Sequence, residues 1–266
     1  MRANKQNPDD RRFKLTIAYD GTDYAGWQVQ KGETGVQEKI EQAFGIIFPS
    51  VKRIHSSSRT DAGVHAMGMM AHVDIPRAEF KMSPDKLTLA INANLPPDIR
   101  IVRAVRCPGD FHARFDAKGK QYRYFIWNDR AMNPLLNRTA WQVPRKLNVA
   151  AMRQAAGHFL GRKDFKSLAA NRAYEMETTV RTLTRCDVRQ SGRLLTVIIE
   201  GDGFLYKMCR GIVGTLLEVG YGKLLPVDVK GILKKKCRTA AGVNVPAQGL
   251  VLWKVYYSKP GRRPSK

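Results

Sequence analysis

Ser56-Ser57-Ser58-Arg59-Thr60-Asp61-Ala62-Gly63-Val64-His65-Ala66 gathers hydroxyls, a guanidinium, a carboxylate and an imidazole into eleven residues. Apolar chain flanks it: Val51 and Ile54 read as the end of one strand, and Met69 to Ile75 as the next. The polar segment is therefore predicted as a loop carried between two scaffold strands, with Asp61 set between a cation and a glycine. One reading is an ordinary surface turn, since Ser, Asp and Gly all favour turns, in which Arg59 pairs with Asp61. The other is a functional loop: no run of Lys or Glu marks the segment as a solvated connection, and loops mounted on a rigid frame are where catalytic groups stand.

Towards the N-terminus, Phe13, Leu15, Ile17 and Tyr19 alternate as one face of a strand that ends at Asp20-Gly21. Beyond the loop through Gly26-Trp27-Gln28, Thr34 and Gln37 have the spacing of a capping box. Val36, Ile40, Phe44 and Ile47 then mark the apolar face of a helix stopped by Pro49. On the C-terminal side, Ser83-Pro84 opens a second helix through Leu87, Ala90 and Ile91, and Ile99 to Val105 closes the half as a strand. The order then repeats. Lys120 to Trp127 is a strand with Tyr122, Tyr124 and Ile126 on one face, and Asn148 caps a helix through Val149, Met152, Ala156 and Phe159. Val180 to Val188 and Leu194 to Glu200 form a hairpin about Ser191-Gly192, followed by helices at Leu205 to Val219 and Val227 to Lys235 and a last strand at Leu250 to Tyr256. Two such rounds predict an α+β fold of duplicated halves, each with helices on one face of a mainly antiparallel sheet. The halves are expected at residues 13–108 and 109–258, with a flexible basic arm at 1–12 and a basic tail at 259–266.

Charge narrows the function. The 266 residues carry 46 Lys and Arg against 23 Asp and Glu, a formal net charge of +23, with 43% hydrophobic residues. So large a surplus exceeds what solubility needs and points to a polyanionic partner, nucleic acid first. A membrane partner is not expected, because no apolar run of ~18 residues and no basic amphipathic helix with an aromatic face occurs. Cys107, Cys186, Cys209 and Cys237 are widely spaced and match no zinc pattern, so no metal is expected. Nothing resembles a P-loop, a dinucleotide fingerprint or an H-E-x-x-H site, and no cofactor is expected. The N-terminal segment has no apolar leader, which predicts a cytoplasmic protein with reduced thiols.

Arg59-Thr60-Asp61-Ala62-Gly63-Val64-His65 resembles the signature of the tRNA pseudouridine synthase A family. Four more segments are similar to that family: Tyr19-Asp20-Gly21-Thr22 with Gly26-Trp27-Gln28; Asn92-Ala93-Asn94-Leu95-Pro96; Asp110 to Phe115 with Tyr122-Arg123-Tyr124; and Gly203 to Gly214. The likeness runs from about Phe13 to Tyr257, and departs at Ser58, where Gly or Ala is usual, and at Cys209 and Gly211, where Val and Asn are common. It implies two ferredoxin-like or RRM-like halves joined into one extended mixed sheet, with the active cleft between them. The implied activity is isomerisation of uridine to pseudouridine at positions 38, 39 and 40 of the tRNA anticodon stem-loop, by a homodimer. Within it, Asp61 is implied as the catalytic nucleophile, Arg210 as its ion-pair partner and Tyr122 as the active-site tyrosine on which the base stacks. Arg59 would enter the RNA as the uridine leaves its stack, or touch a phosphate, and Leu250 would line the base pocket.

Read as residues alone, Tyr122 fits a core tyrosine with a satisfied hydroxyl, and Leu250 fits an ordinary core as well as it fits a pocket. Arg210 is more telling: at helical spacing it shares the apolar stripe of Tyr206, Val213, Gly214 and Leu217, so its charge should be partly buried and in need of an anion. His65, His72 and His112 read as structural or RNA-facing. The rival class is a non-catalytic RNA-binding protein with RRM-like halves. It accounts for the charge and the aromatics, but not for a carboxylate on a phosphate-binding surface, and the aromatic RNP1 pattern is absent.

Overall fold

β1 (Asp10–Tyr19) buries Phe13, Leu15, Ile17 and Tyr19. Each such side chain contributes about 1.5–3 kcal/mol when fully buried, so the alternation alone settles which face turns inward. In the computed structural model, which describes residues 9–170 and 178–258, that face meets α1 (Val36–Ile47) through a run of rings. Phe13 lies 4.7 Å from Phe80, Phe80 6.2 Å from Phe48, and Phe48 6.3 Å from Phe44. α1 is capped at Gly35 rather than Thr34: Gly35 N–H donates to the Glu38 carboxylate at 3.4 Å, while Gln37 is buried and donates to Ile54 O at 3.2 Å.

Val51 and Ile54 are buried, as their apolar character requires, but they are not strand. Val51 N–H bonds Phe48 O in a turn and Ile54 N–H bonds the Glu41 carboxylate, both at 2.9 Å, so neither is available to a neighbouring strand. The strand before the Asp61 loop is β2 (His55–Ser56), two residues paired with β3 (His65–Pro76). α2 (Pro84–Ala93) starts as expected, with Ser83 Oγ accepting from Lys86 N–H at 3.4 Å, and β4 (Ile99–Arg106) follows.

β1 also begins earlier than its apolar alternation suggests. Arg12 is only 3% exposed, because its cross-strand partner Asp74 takes Nε at 2.7 Å and Nη2 at 2.6 Å, and Phe111 O takes Nη1 at 2.8 Å. A fully paired guanidinium is one of the few charges a sheet can bury. The rest of the expected arm, residues 1–8, and the tail 259–266 lie outside the described residues.

The chain continues through β5 (Gly119–Trp127), β6 (Trp141–Gln142), α3 (Val149–Gly157), β7 (Gly161–Asp164), β8 (Val180–Ser191) and β9 (Leu194–Gly201). It ends with α4 (Met208–Gly220), α5 (Asp228–Lys235) and β10 (Leu250–Tyr256). α4 starts three residues later than its apolar stripe predicts. Lys207 adopts φ 57°, ψ 9°, a left-handed conformation that cannot continue a helix and leaves Tyr206 outside the stripe.

These elements form two compact units: the described residues up to Lys118 with those from Leu252 onward, and Gly119–Val251. In the first, the strand order is β4-β1-β3-β10 with β2 on β3, and β1 is antiparallel to both neighbours, Phe13 facing Val73 on one side and Arg106 on the other. In the second, β5-β9-β8-β7 is antiparallel throughout, with β6 added parallel to β5 at Ile126 and Trp141. The architecture is the α+β class expected, with mainly antiparallel strands.

Candidate active site

Asp61 stands at the start of a tight turn in which Val64 N–H bonds Asp61 O at 3.1 Å and Gly63 takes φ +73°, the conformation glycine tolerates best. The turn is clamped from beneath by the chain after β1. Trp27 N–H donates to Thr60 O at 3.1 Å, the buried Tyr19 and Thr60 hydroxyls share a hydrogen bond at 2.8 Å, and Gly63 N–H donates to Tyr24 O at 3.3 Å. Gly26, at φ +103°, lies so close that a Cβ there would come 2.6 Å from Thr60 O and 3.1 Å from Asp61 C. The Asp61 side chain is left half-buried, while Arg59 is exposed.

His65 closes the far end of the turn. It is buried, and its Nδ1 accepts the Gly21 N–H at 3.1 Å. The Asp20 carboxylate, 3.1 Å from the same nitrogen, accepts from Thr22 N–H at 3.0 Å and from the Thr22 hydroxyl at 2.5 Å. Further along β3, His72 accepts the Ala113 N–H at 3.2 Å and His112 accepts Arg114 and Phe115 N–H at 3.1 and 3.3 Å, all through Nδ1. His55 stacks on His72 with ring centroids 5.0 Å apart. Burial, with the nearby Arg12 charge, pushes His72 down to about 3. These imidazoles are neutral struts for the segment from Phe111 to Phe115. Among the described residues, no group of His, Cys, Asp and Glu side chains could hold a metal ion.

The other expected residues belong to the second unit. Tyr122 is on β5, 7% exposed, with its ring edge-on to Phe204 at 5.0 Å. Two positions on, Tyr124 is fully buried; burial pushes its phenol well above the usual tyrosine range, and it donates to Pro246 O at 2.8 Å. Arg210, half-buried in the first turn of α4, donates from Nε to Val245 O at 2.6 Å. Tyr124 and Arg210 thus grip adjacent carbonyls of the segment that leads to Leu250, which is 6% exposed. Four glycines make this possible. A Cβ on Gly211 would strike Leu168 O at 2.5 Å, Gly214 and Gly242 lie backbone against backbone, and a Cβ on Gly249 would meet the Tyr124 ring at 2.6 Å. Gly211, a departure from the family pattern, is required here because α4 rests directly on the chain at Leu168.

The structure therefore groups Asp61 and Arg59 on one clamped loop, and gathers Arg210 and Leu250 around a strand with Tyr122 beside Tyr124. Sequence reasoning missed the clamps, Thr60, Tyr19 and Tyr124. Tyr124 left a signal as the second aromatic on the buried face of β5, and Tyr19 as the last apolar residue of the β1 alternation, but neither showed which contact it would make.

A model of the family described as tRNA pseudouridine synthase matches residues 15–116 and 155–258. A protein of Bacillus subtilis (strain 168) named tRNA pseudouridine synthase A is 42% identical over 248 residues, covering 92% of this chain and 99% of its own. The chain belongs to the tRNA pseudouridine synthase A family. Two further members, from Ruminiclostridium cellulolyticum and Geobacter sp. (strain M21), are 42% and 43% identical over 248 residues, each covering 93% of this chain and respectively 100% and 99% of their own. Membership in the tRNA pseudouridine synthase A family places the chain among isomerases. The likeness first carried by five motifs thus extends over nearly the whole sequence.

Proposed function

We propose that the protein converts uridine to pseudouridine at positions 38, 39 and 40 of the tRNA anticodon stem-loop, as a cytoplasmic homodimer, with Asp61 as the catalytic nucleophile. The isomerisation breaks the C1′–N1 bond, turns the uracil and joins C1′ to C5; C5 loses a proton and N1 gains one, so neither oxidant nor reductant enters. The observation that carries this reading is the Asp61 turn. A half-buried carboxylate is held by backbone and buried hydroxyl contacts on every side of its loop, as a group that must meet a reacting atom within tenths of an ångström requires.

Arg210 serves as the cation that keeps Asp61 ionised at neutral pH; its Nε is tied to Val245 O, and its terminal nitrogens are the part of the fork that takes a carboxylate. Tyr122 offers a ring face for a flipped-out base and Leu250 an apolar wall. Arg59, exposed next to the carboxylate, enters the RNA where the uridine departs. The net charge of +23 supports a polyanionic substrate. The homodimer rests on the family resemblance and is tested by sedimentation.

Asp61→Asn decides the assignment. The amide keeps the size and hydrogen bonding of the carboxylate and lacks its charge and nucleophilic oxygen. Binding of tRNA is expected to stay within about tenfold of wild type, roughly 1.4 kcal/mol, with no detectable tritium release from tRNA carrying 5-tritiated uridine. Substantial release by the folded variant, or none from wild type given a range of tRNAs, would return the RNA-binding module to first place. Carbodiimide mapping of the product that marks sites outside 38–40 would overturn the positional part alone.

A further inference from the structure

Where β1 begins and β4 ends, the first unit has a cavity of about 460 Å3 lined by Arg11, Arg12, Arg77, Arg106, Asp10 and Cys107. Sheet register brings them together from three segments: Asp10 faces Pro76, Arg11 faces Ile75, and Phe13 faces Arg106. Arg77 N–H then bonds Asp9 O at 3.0 Å.

The charges here do not cancel. Arg12 is occupied by Asp74 and Phe111 O. Arg11 lies over the Phe80 ring, its guanidinium carbon 5.5 Å from the centroid, and its Nε is buried with no hydrogen-bond partner. Native structures rarely leave such a donor unsatisfied, and a water or an anion at the site is one way to satisfy it. Arg77 and Arg106 are exposed, and their guanidinium groups have no hydrogen bond or ion pair among the described residues. Among the lining side chains Asp10 is the single carboxylate, pushed up by partial burial and by Asp74, Asp9 and Glu79 nearby. The Cys107 thiol is pushed up to about 11, chiefly by burial, and adds no negative charge at neutral pH. Three guanidinium forks around one space match a tetrahedral oxyanion with several acceptor oxygens better than they match a planar carboxylate.

We propose that Arg11, Arg77 and Arg106 form a phosphate-binding pocket that holds one backbone phosphate of the bound RNA. The phosphate chemistry stands on these residues; RNA as its source rests on the function proposed above. The pocket is at the Asp10 end of β1, and the Asp61 turn is clamped at the Tyr19 end. Nine residue steps of strand separate the two by roughly 30 Å, a span that a folded RNA bridges and an isolated uridine does not. The pocket is a second grip, remote from the reacting base.

The test replaces both exposed arginines, Arg77→Gln with Arg106→Gln, and checks folding by thermal melting. Inorganic phosphate is titrated into wild type and variant while the arginine Nε–H resonances are followed, and tRNA affinity is measured against salt. Phosphate is expected to shift the Arg11 signal in wild type only. The variant is expected to bind tRNA about tenfold more weakly, with the slope of log affinity against log salt reduced by about one to two. No phosphate shift in wild type, or an equal shift in the variant, overturns the pocket. A lost shift with unchanged tRNA affinity and salt slope overturns RNA as the source and leaves a free phosphate compound as the ligand. Wild type that binds phosphate here yet releases no tritium from tRNA counts against the proposed reaction and not against the pocket.

Discussion

Asp61 and Arg210 are positioned by different physics. Asp61 sits in a loop with no repeating hydrogen-bond pattern, held by a handful of contacts none of which duplicates another: Trp27 to Thr60, Tyr19 to Thr60, and Gly63 to Tyr24. Arg210 sits on a helix, where the backbone ladder fixes its direction and the apolar residues of α4, Ile212, Val213, Leu216 and Leu217 among them, share the task of anchoring it. A loop of the first kind is accurate but fragile, because one altered contact shifts the whole turn. A helix of the second kind spreads a disturbance over many partners and shifts less. Glycine serves both, but it admits the clamp in the loop and the neighbouring chain in the helix.

The largest expected effect follows from attacking the loop. Gly26→Ala puts a methyl group against the Thr60 and Asp61 backbone at a φ that L residues avoid. Misplacement by about 1 Å is expected to lower kcat/KM by about 100-fold, at a stability cost of about 2–4 kcal/mol. If Gly26→Ala turns over normally, the clamp is not what positions Asp61. Next comes the helix. Arg210→Ala should lower kcat by about 10- to 100-fold, roughly 1.4–2.7 kcal/mol, while tRNA affinity changes by less than about threefold. If Arg210 is the cation proposed for Asp61, its loss should move the acid limb of the pH–rate profile to higher pH. An unmoved limb would dissociate Arg210 from Asp61.

The smallest effect sharpens the contrast in stability. His72 has a folded pKa of about 3, well below its unfolded value, so between those two values the unfolded chain binds more protons than the folded one. Stability present at neutral pH is therefore lost as pH falls from about 6.5 to 3, at up to about 1.4 kcal/mol per unit. His55 and His112, also lowered mainly by burial, act in the same direction. Hydrogen exchange under mild acid should loosen the segment from Phe111 to Phe115 first. His72→Asn, whose side-chain oxygen can still accept from Ala113 N–H, should flatten the acid limb of a melting-temperature profile by about one proton.

Elements with a clean period were legible in the sequence because burial enforces the period. β1, α2, the β8–β9 hairpin, α5 and β10 all stand within a few residues of where alternation and caps put them. What was not legible has a common cause in single tertiary contacts. Two-residue strands such as β2 and β6 are too short to show a period, and β7 is Gly-Arg-Lys-Asp, paired for its backbone alone. Arg12 looked like part of a charged arm until Asp74 and Phe111 were placed beside it, and Lys207 gave no hint of its left-handed backbone. At the site, Asp61 was legible through its motif and Arg210 through a charge on an apolar stripe. The clamps under Asp61 were not, since nothing local to Gly26 or Thr60 announces the other.

The path of the last strand also sets a timetable for synthesis. β10 brings the chain back into the unit that opened it, and Gly68 on β3 lies so near Trp253 that a Cβ would come 2.6 Å from its carbonyl oxygen. A nascent chain that has emerged only as far as Val251 has every residue of the Asp61 turn and still lacks the strand that completes the sheet behind it. β3 must wait, with the part of its edge that β10 will cover unpaired, while the ribosome makes the entire second unit. The Asp61 loop is encoded in the first quarter of the chain and gains its full scaffold only from the end of the message.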